Sequence, residues 1–263
     1  AANFASGFNH AWTEGTLEWR TQVGNAAETS IRCAELAALG AEAGPTTLEG
    51  PFGFFAVHSG EPADPAAIAA GLREWRLADM QMKPRPVCGI NQGPAVSAVS
   101  IAAEPGFDPD RVERVRIRMR PEDVAYPGIT GKGPFNGPGT ALMSTSFALA
   151  TALSEGEISF DDLKPPYDGR VLELIARVEI EADDSLPELG HVLTVADRDG
   201  GELRREYLDP MHLGALRRRE VDDVLALVAA ETGDDRVADP ARREAIARLG
   251  PDDIPIERLV AVL

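Results

Sequence analysis

Val112-Glu113-Arg114-Val115-Arg116-Ile117-Arg118-Met119 divides the chain into two kinds of sequence. Apolar residues alternate with charged ones, the pattern of a strand with one buried and one solvated face. Its arginines fall outward with Glu113, so a solvated face is expected there rather than an anion-binding patch. Upstream the periodicity is helical. An alanine-rich run from Asn25 to Ala43 places Ile31, Ala34, Ala38 and Ala41 at helical spacing, and Gly44-Pro45 is expected to end it. Pro65 to Trp75 reads as a further helix with Ile68, Leu72 and Trp75 on one core-facing side.

Downstream, Pro94 to Ala103 reads as a short helix of small residues, and Thr140 to Leu153 and Arg170 to Val178 as two more. His191 to Asp197 and Glu202 to Tyr207 flank Asp199-Gly200, a strong hairpin signal. The stretch Pro127 to Gly139 is too long and too rich in glycine and proline to be a plain connection. It either covers a site, with Lys132 as a contact, or is a mobile surface excursion. Strand, two helices and hairpin in that order indicate an α+β unit. Beyond about Pro210 the helical pattern returns, with Val221, Val224, Leu225 and Val228 on one face. The fold class expected is mainly α with an α+β lid: a helical domain from 1–82 and 210–263, and a lid from 83–209.

Composition narrows the function. The 263 residues are 44% hydrophobic, enough to bury a core. No apolar run approaches the ~20 residues that span a bilayer, and the two cysteines, Cys33 and Cys88, form no CxxC pair. A cytoplasmic protein with no membrane partner is the expectation. A net charge of −17 without a basic stripe argues against nucleic acid. The histidines, His10, His58, His191 and His212, show no metal-ligand spacing. Phosphate loops, dinucleotide fingerprints and nucleophile elbows are also missing, so neither a metal nor another cofactor is expected. The pairs Asp222-Asp223, Asp234-Asp235 and Asp252-Asp253 read as helix caps.

Such a charge repels acidic substrates, so a site for one must be locally cationic within about a Debye length, ~8 Å. The chain has only three lysines, Lys83, Lys132 and Lys164, and Lys83 with Arg85 forms a basic spot. A second candidate is Glu18 to Ala27, Glu-Trp-Arg-Thr-Gln-Val-Gly-Asn-Ala-Ala, which brings Arg20, Gln22, Gly24 and Asn25 to the expected start of a long helix. Helix starts offer unpaired N–H groups and about half a positive charge to a carboxylate. The alternative is structural, with Trp19 in the core and Arg20 capping a neighbouring helix or pairing with a surface acid.

Four blocks in order carry a family resemblance: Glu18 to Ala27, Leu48-Glu49-Gly50-Pro51-Phe52-Gly53-Phe54-Phe55, Lys83-Pro84-Arg85-Pro86-Val87-Cys88-Gly89-Ile90-Asn91-Gln92, and Met143 to Gly156. Together they resemble the MmgE/PrpD family of 2-methylcitrate dehydratases, cis-aconitate decarboxylases and iminodisuccinate epimerases. The resemblance implies a helical domain closed by a small lid, homodimers, and dehydration, decarboxylation or epimerisation of a di- or tricarboxylic acid without a cofactor. Lys83 resembles the family's active-site lysine, so its implied role is to bind a carboxylate or donate a proton. Arg20 would clamp a second carboxylate, helped by the Gly24 and Asn25 amides, with Gln22 and Gln92 beside the substrate.

Departures from the family pattern temper that picture. Gln22 and Gln92 fall where many relatives have histidine, Trp19 where they have lysine, and Phe147 where they often have tyrosine. A drier, less cationic site is implied, suited to a smaller or less charged acid. Ala1 to Gly7 resembles a helix from the middle of family members, so the implied first half of the helical domain, with its Asp and His residues, would come from elsewhere. Two readings follow: a cofactor-independent lyase or isomerase completed by the missing half or a second chain, and a non-catalytic relative that binds a small acid or a partner chain.

Overall fold

In the computed structural model, residues 1–61, 63–71, 83–208, 239 and 241 are described. The early helices are α1 (His10–Glu14), α2 (Trp19–Ala38), α3 (Phe54–Ser59) and α4 (Pro65–Gly71). No residue of α2, α3 or α4 is buried. The alanine-rich helix starts earlier and ends earlier than its composition suggests. Leu39 caps it, and Gly40 at φ +91° turns the chain away before Gly44-Pro45 is reached. Leu72 and Trp75, the face from Val221 to Val228, and the three Asp pairs lie outside the described residues.

From residue 83 onward α and β elements combine. Helix α5 (Gly89–Ala102) leads into strand β1 (Val112–Met119), followed by α6 (Pro121–Val124), α7 (Pro138–Met143), α8 (Thr145–Glu155) and α9 (Gly169–Ala176). Strands β2 (Val178–Ala182), β3 (His191–Asp197) and β4 (Glu202–Tyr207) complete a four-stranded sheet in the order β2-β1-β3-β4. Strand β1 runs parallel to β2 and antiparallel to β3, and β3 and β4 form the hairpin that Asp199-Gly200 signals. Asp197 secures its turn by accepting from the Asp199 and Gly201 amides at 2.9 and 2.8 Å.

Strand register explains which side chains go inside. Val115, Ile117 and Met119 of β1 stand opposite Val195, Leu193 and His191, and all six are buried. Alternation sends Arg116 and Arg118 to the other face, where Arg116 meets Glu179 and Glu181 at 3.4 and 3.1 Å and Arg118 meets Asp183 at 2.6 Å. Exposed pairs of this kind contribute little each, so the strand is held by its apolar side.

Against that side pack α5 and α8. Residues 145–153 of α8 are all buried, as expected for a helix that is apolar or small on every side. Its alanines, Ala148, Ala150 and Ala152, have no long side chain to hold neighbours apart. The buried core cluster runs from Val87 to Val195, and Trp12 packs against it from α1. That contact depends on glycine: a Cβ on Gly139 of α7 would sit 2.4 Å from the Gly15 carbonyl oxygen.

Three boundaries differ from the sequence expectation. Helix α5 begins five residues before Pro94, which sits buried inside it. The run from Thr140 to Leu153 is not one helix, because Ser144 adopts extended backbone (φ −72°, ψ 118°) and caps α8 by accepting from the Phe147 amide. Helix α9 stops at Ala176, and Val178-Glu179-Ile180-Glu181-Ala182 forms β2. The Pro127 to Gly139 stretch is anchored rather than a loose excursion. Ile129 is buried, Lys132 donates to the Val178 carbonyl at 2.5 Å, and Phe135 packs edge-on to Phe147 and Tyr167. Lys132 is thus a brace for β2.

Candidate functional site

Lys83-Pro84-Arg85-Pro86-Val87-Cys88 approaches α5 as a bent, non-helical segment, in which the Val87 amide donates to the Arg85 carbonyl at 2.8 Å, because each proline biases the residue before it away from helix. Gln92, one turn into α5, reaches back to hold it. Its Nε2 donates to the Arg85 and Val87 carbonyls, both at 2.9 Å, and its Oε1 accepts from the Arg85 amide at 3.3 Å. The next anchor is Asn91, fully buried, which donates to the Met143 carbonyl at 2.9 Å and accepts from the Thr145 hydroxyl at 2.7 Å. The Cys88 amide donates to the Leu142 carbonyl at 3.0 Å. The start of α5 is therefore tied to the break between α7 and α8.

Arg85 is not free for a ligand. Its guanidinium makes a two-pronged pair with Glu157, Nε to Oε1 at 2.5 Å and Nη2 to Oε2 at 2.8 Å. Lys83 is exposed and makes no ion pair among the described residues. It lies close enough to Cys88 to act on that thiol electrostatically. Burial raises the Cys88 pKa; the Asn91 and Ile90 amides and Lys83 oppose this, and Asp123 adds to the rise. The geometry has a simple electrostatic meaning. Cys88 is the N-cap of α5 and makes no side-chain cap hydrogen bond. A sulfur is a weak acceptor; the Asn91 amide also donates to the Cys88 carbonyl at 3.0 Å, and nothing would meet a Cβ on Gly89 within 4 Å. The Lys83 ammonium thus lies near the positive end of α5, a combination suited to a carboxylate.

The second group of expected site residues lies on α2. Arg20 is exposed, with its guanidinium carbon 5.5 Å from the Trp19 ring centre. Trp19 in turn packs against Trp12 at 5.4 Å. The Gln22 Nε2 donates to the Phe8 carbonyl at 3.1 Å. Because α2 begins at Trp19, Gly24 and Asn25 are its sixth and seventh residues, so their amides lie past the first turn and belong to the helical ladder. This corrects the expectation that those amides face a substrate. Gln22 and Asn25 do share a wall of an apolar cavity of ≈ 400 Å³ with Phe4, Leu48, Phe54 and Phe55. No hydrogen bond or ion pair among the described residues joins Arg20, Gln22, Gly24 or Asn25 to Lys83 or Gln92.

One constellation gave no signal in the sequence. His191 of β3 is fully buried, with Nε2 2.8 Å from the Ser97 hydroxyl of α5 and its ring stacked on Tyr207 at 5.4 Å. Gly93 makes room for it, since a Cβ there would come within 2.9 Å of the ring. Desolvation lowers its pKa to about 4, opposed in smaller part by the Leu189 backbone, and Nδ1 has no hydrogen-bond partner among the described residues. Ser97 and His191 are 94 residues apart, so only the sheet brings them together.

The class defined by fold and site is an α+β protein whose small mixed sheet supports a helix N-terminus beside a lysine that makes no ion pair among the described residues. Residues 86–247 match the MmgE/PrpD C-terminal domain, and the chain belongs to the MmgE/PrpD family. No curated protein matches it.

Proposed function

We propose that this chain forms part of a cofactor-independent lyase or isomerase of a small carboxylic acid, with Lys83 as its cationic catalytic group. The observation that carries this reading is the Lys83 ammonium beside the uncapped start of α5, in a chain whose net charge of −17 otherwise repels acids. Dehydration, decarboxylation and epimerisation beside a carboxylate all build negative charge in the transition state. A positioned ammonium and helix amides stabilise that charge without a metal or organic cofactor. Family membership supports the same class of chemistry.

In this reading residues 83–209 form a lid over a helical domain built from 1–82 and 210–263. Arg20, Gln22 and Asn25 meet the substrate only when the site is assembled with a second chain. Gln92 acts indirectly, by holding the backbone from which Lys83 extends. Glutamine cannot exchange a proton near neutral pH, so proton transfer rests on Lys83 or on groups from a second chain.

The test is turnover of a panel of di- and tricarboxylic acids by the assembled protein. Lys83→Ala should reduce kcat/KM by at least 100-fold while leaving the circular dichroism spectrum unchanged. Unchanged turnover in that variant would overturn the role of Lys83. A thermal shift induced by acids, with no turnover in any assembly, would favour the second reading, a non-catalytic relative that binds a small acid.

A further inference from the structure

We infer that Glu157 is a positioning residue for Lys83 and acts through Arg85. The inference rests on the reading of Lys83 as the cationic catalytic group. Lys83 is exposed and makes no ion pair among the described residues, so its own side chain does not hold it in place. What fixes it must come through the backbone. Two residues on, Arg85 is fastened on both sides. The Gln92 side chain holds its main chain, and the two-pronged pair with Glu157 holds its guanidinium across 72 residues of sequence.

The pair is a fastening rather than a loose surface contact. The Arg85 side chain is only 13% exposed. The Glu157 Oε1 also accepts from the Ile158 amide at 3.0 Å, and Ile158 is buried, so the core itself aims the carboxylate. Two parallel N–H···O bonds then fix angle as well as distance, which a single contact does not. The chain from Arg85 back to Lys83 is short and stiff. Pro84 holds its own φ at about −65° and restricts Lys83, and Pro86 restricts Arg85 in the same way. The Val87 amide closes the bend around Pro86 by donating to the Arg85 carbonyl. A guanidinium pinned just past the end of α8 therefore sets where the Lys83 side chain leaves the backbone.

The experiment compares Glu157→Gln, Arg85→Lys and Lys83→Ala with the unaltered chain, each in the assembled protein. Glu157→Gln sets an NH2 donor against the Arg85 Nη2, and Arg85→Lys keeps both charges but loses the fork. In both variants the Arg85 and Val87 amides should exchange hydrogen faster, read by mass spectrometry. Turnover of the same panel of di- and tricarboxylic acids, malate and citrate among them, is measured alongside. Lys83 meets charge that builds in the transition state, so kcat should fall about tenfold with a smaller change in KM. Loss of stability alone would lower the thermal midpoint and leave kcat per folded molecule unchanged. Arg85→Lys strands no buried charge, so it carries the test if Glu157→Gln does not fold. Unchanged exchange in the variants, or faster exchange with unchanged kcat while Lys83→Ala abolishes turnover, would overturn the positioning role and leave the function of Lys83 standing. Turnover that survives Lys83→Ala, or none by the unaltered protein, would overturn both.

Discussion

Neutral His191 is buried with no hydrogen-bond partner for Nδ1 among the described residues, and this links the stability of the protein to pH. An unfolded histidine takes its proton near pH 6.5, whereas His191 in the fold does so only at about 4. Between those values the unfolded chain holds more protons, so acid favours unfolding. The contribution is complete above pH 6.5, declines as pH falls, and has been lost by pH 4, a swing of up to about 3 kcal/mol. Unfolding free energies from urea titrations at pH 7.5 and 5 should therefore differ by about 2 kcal/mol from this group, and His191→Gln should flatten that difference. An unchanged slope in the variant would assign the acid sensitivity to other groups. At Lys83 the expectation is different: the residue is exposed and unpaired, so Lys83→Ala should remove activity without measurable loss of stability, read by thermal melting alongside kcat/KM.

At the scale of elements, the break at Ser144 is a positioning device. Its hydroxyl donates to the Gly131 carbonyl at 2.5 Å and accepts from the Phe147 amide at 3.0 Å, so one side chain both starts α8 and ties down the preceding loop. Thr145, the first residue of α8, is then bonded to Asn91 at the start of α5. Ser144→Ala should cost about 1–2 kcal/mol in chemical denaturation. Because α5 depends on α8 for its anchor, the same change should raise KM for an acidic substrate while altering kcat less. A stability loss with unchanged KM would show that the two helix starts are not coupled. The break at Ser144 had no unambiguous mark in the sequence, since Met143-Ser144-Thr145-Ser146 suits a helix interior as well as a cap. The start of α5 was obscured by Pro94, which normally marks a helix start and here sits inside one.

On the scale of the whole molecule, burial is uneven. The core runs from Val87 to Val195, while α2 buries no residue and leaves Val23, Ile31 and Leu36 at least 42% exposed. An amphipathic helix in that condition is normally covered by association. We expect a homodimer or a complex with a second chain, and native mass spectrometry checks it: the intact mass should exceed the 28.1 kDa of one chain. A species of 28.1 kDa alone at micromolar concentration would count against association through α2. Among the described residues no helix is long and apolar enough to cross a membrane.

Sequence by itself determined what depends on near neighbours. The alternation in β1, the hairpin around Asp199-Gly200, the helix beginning near Arg170, and the basic spot at Lys83 are local patterns, and local sterics and solvation suffice to read them. The four ordered blocks identified the family without specifying a reaction. Strand β2 was not read from the sequence, although Val178 and Ile180 alternate with Glu179 and Glu181: Val178 was counted in the preceding helix, and five residues are too few to separate a strand from a helix end. Only the tertiary structure decided that Gln92 braces a backbone, that the Gly24 and Asn25 amides are internal to a helix, that Arg85 is taken by Glu157, and that His191 meets Ser97. Each of those outcomes depends on hydrogen bonds and burial set by the packed arrangement. A polar side chain turns toward whichever partner the fold brings within about 3 Å.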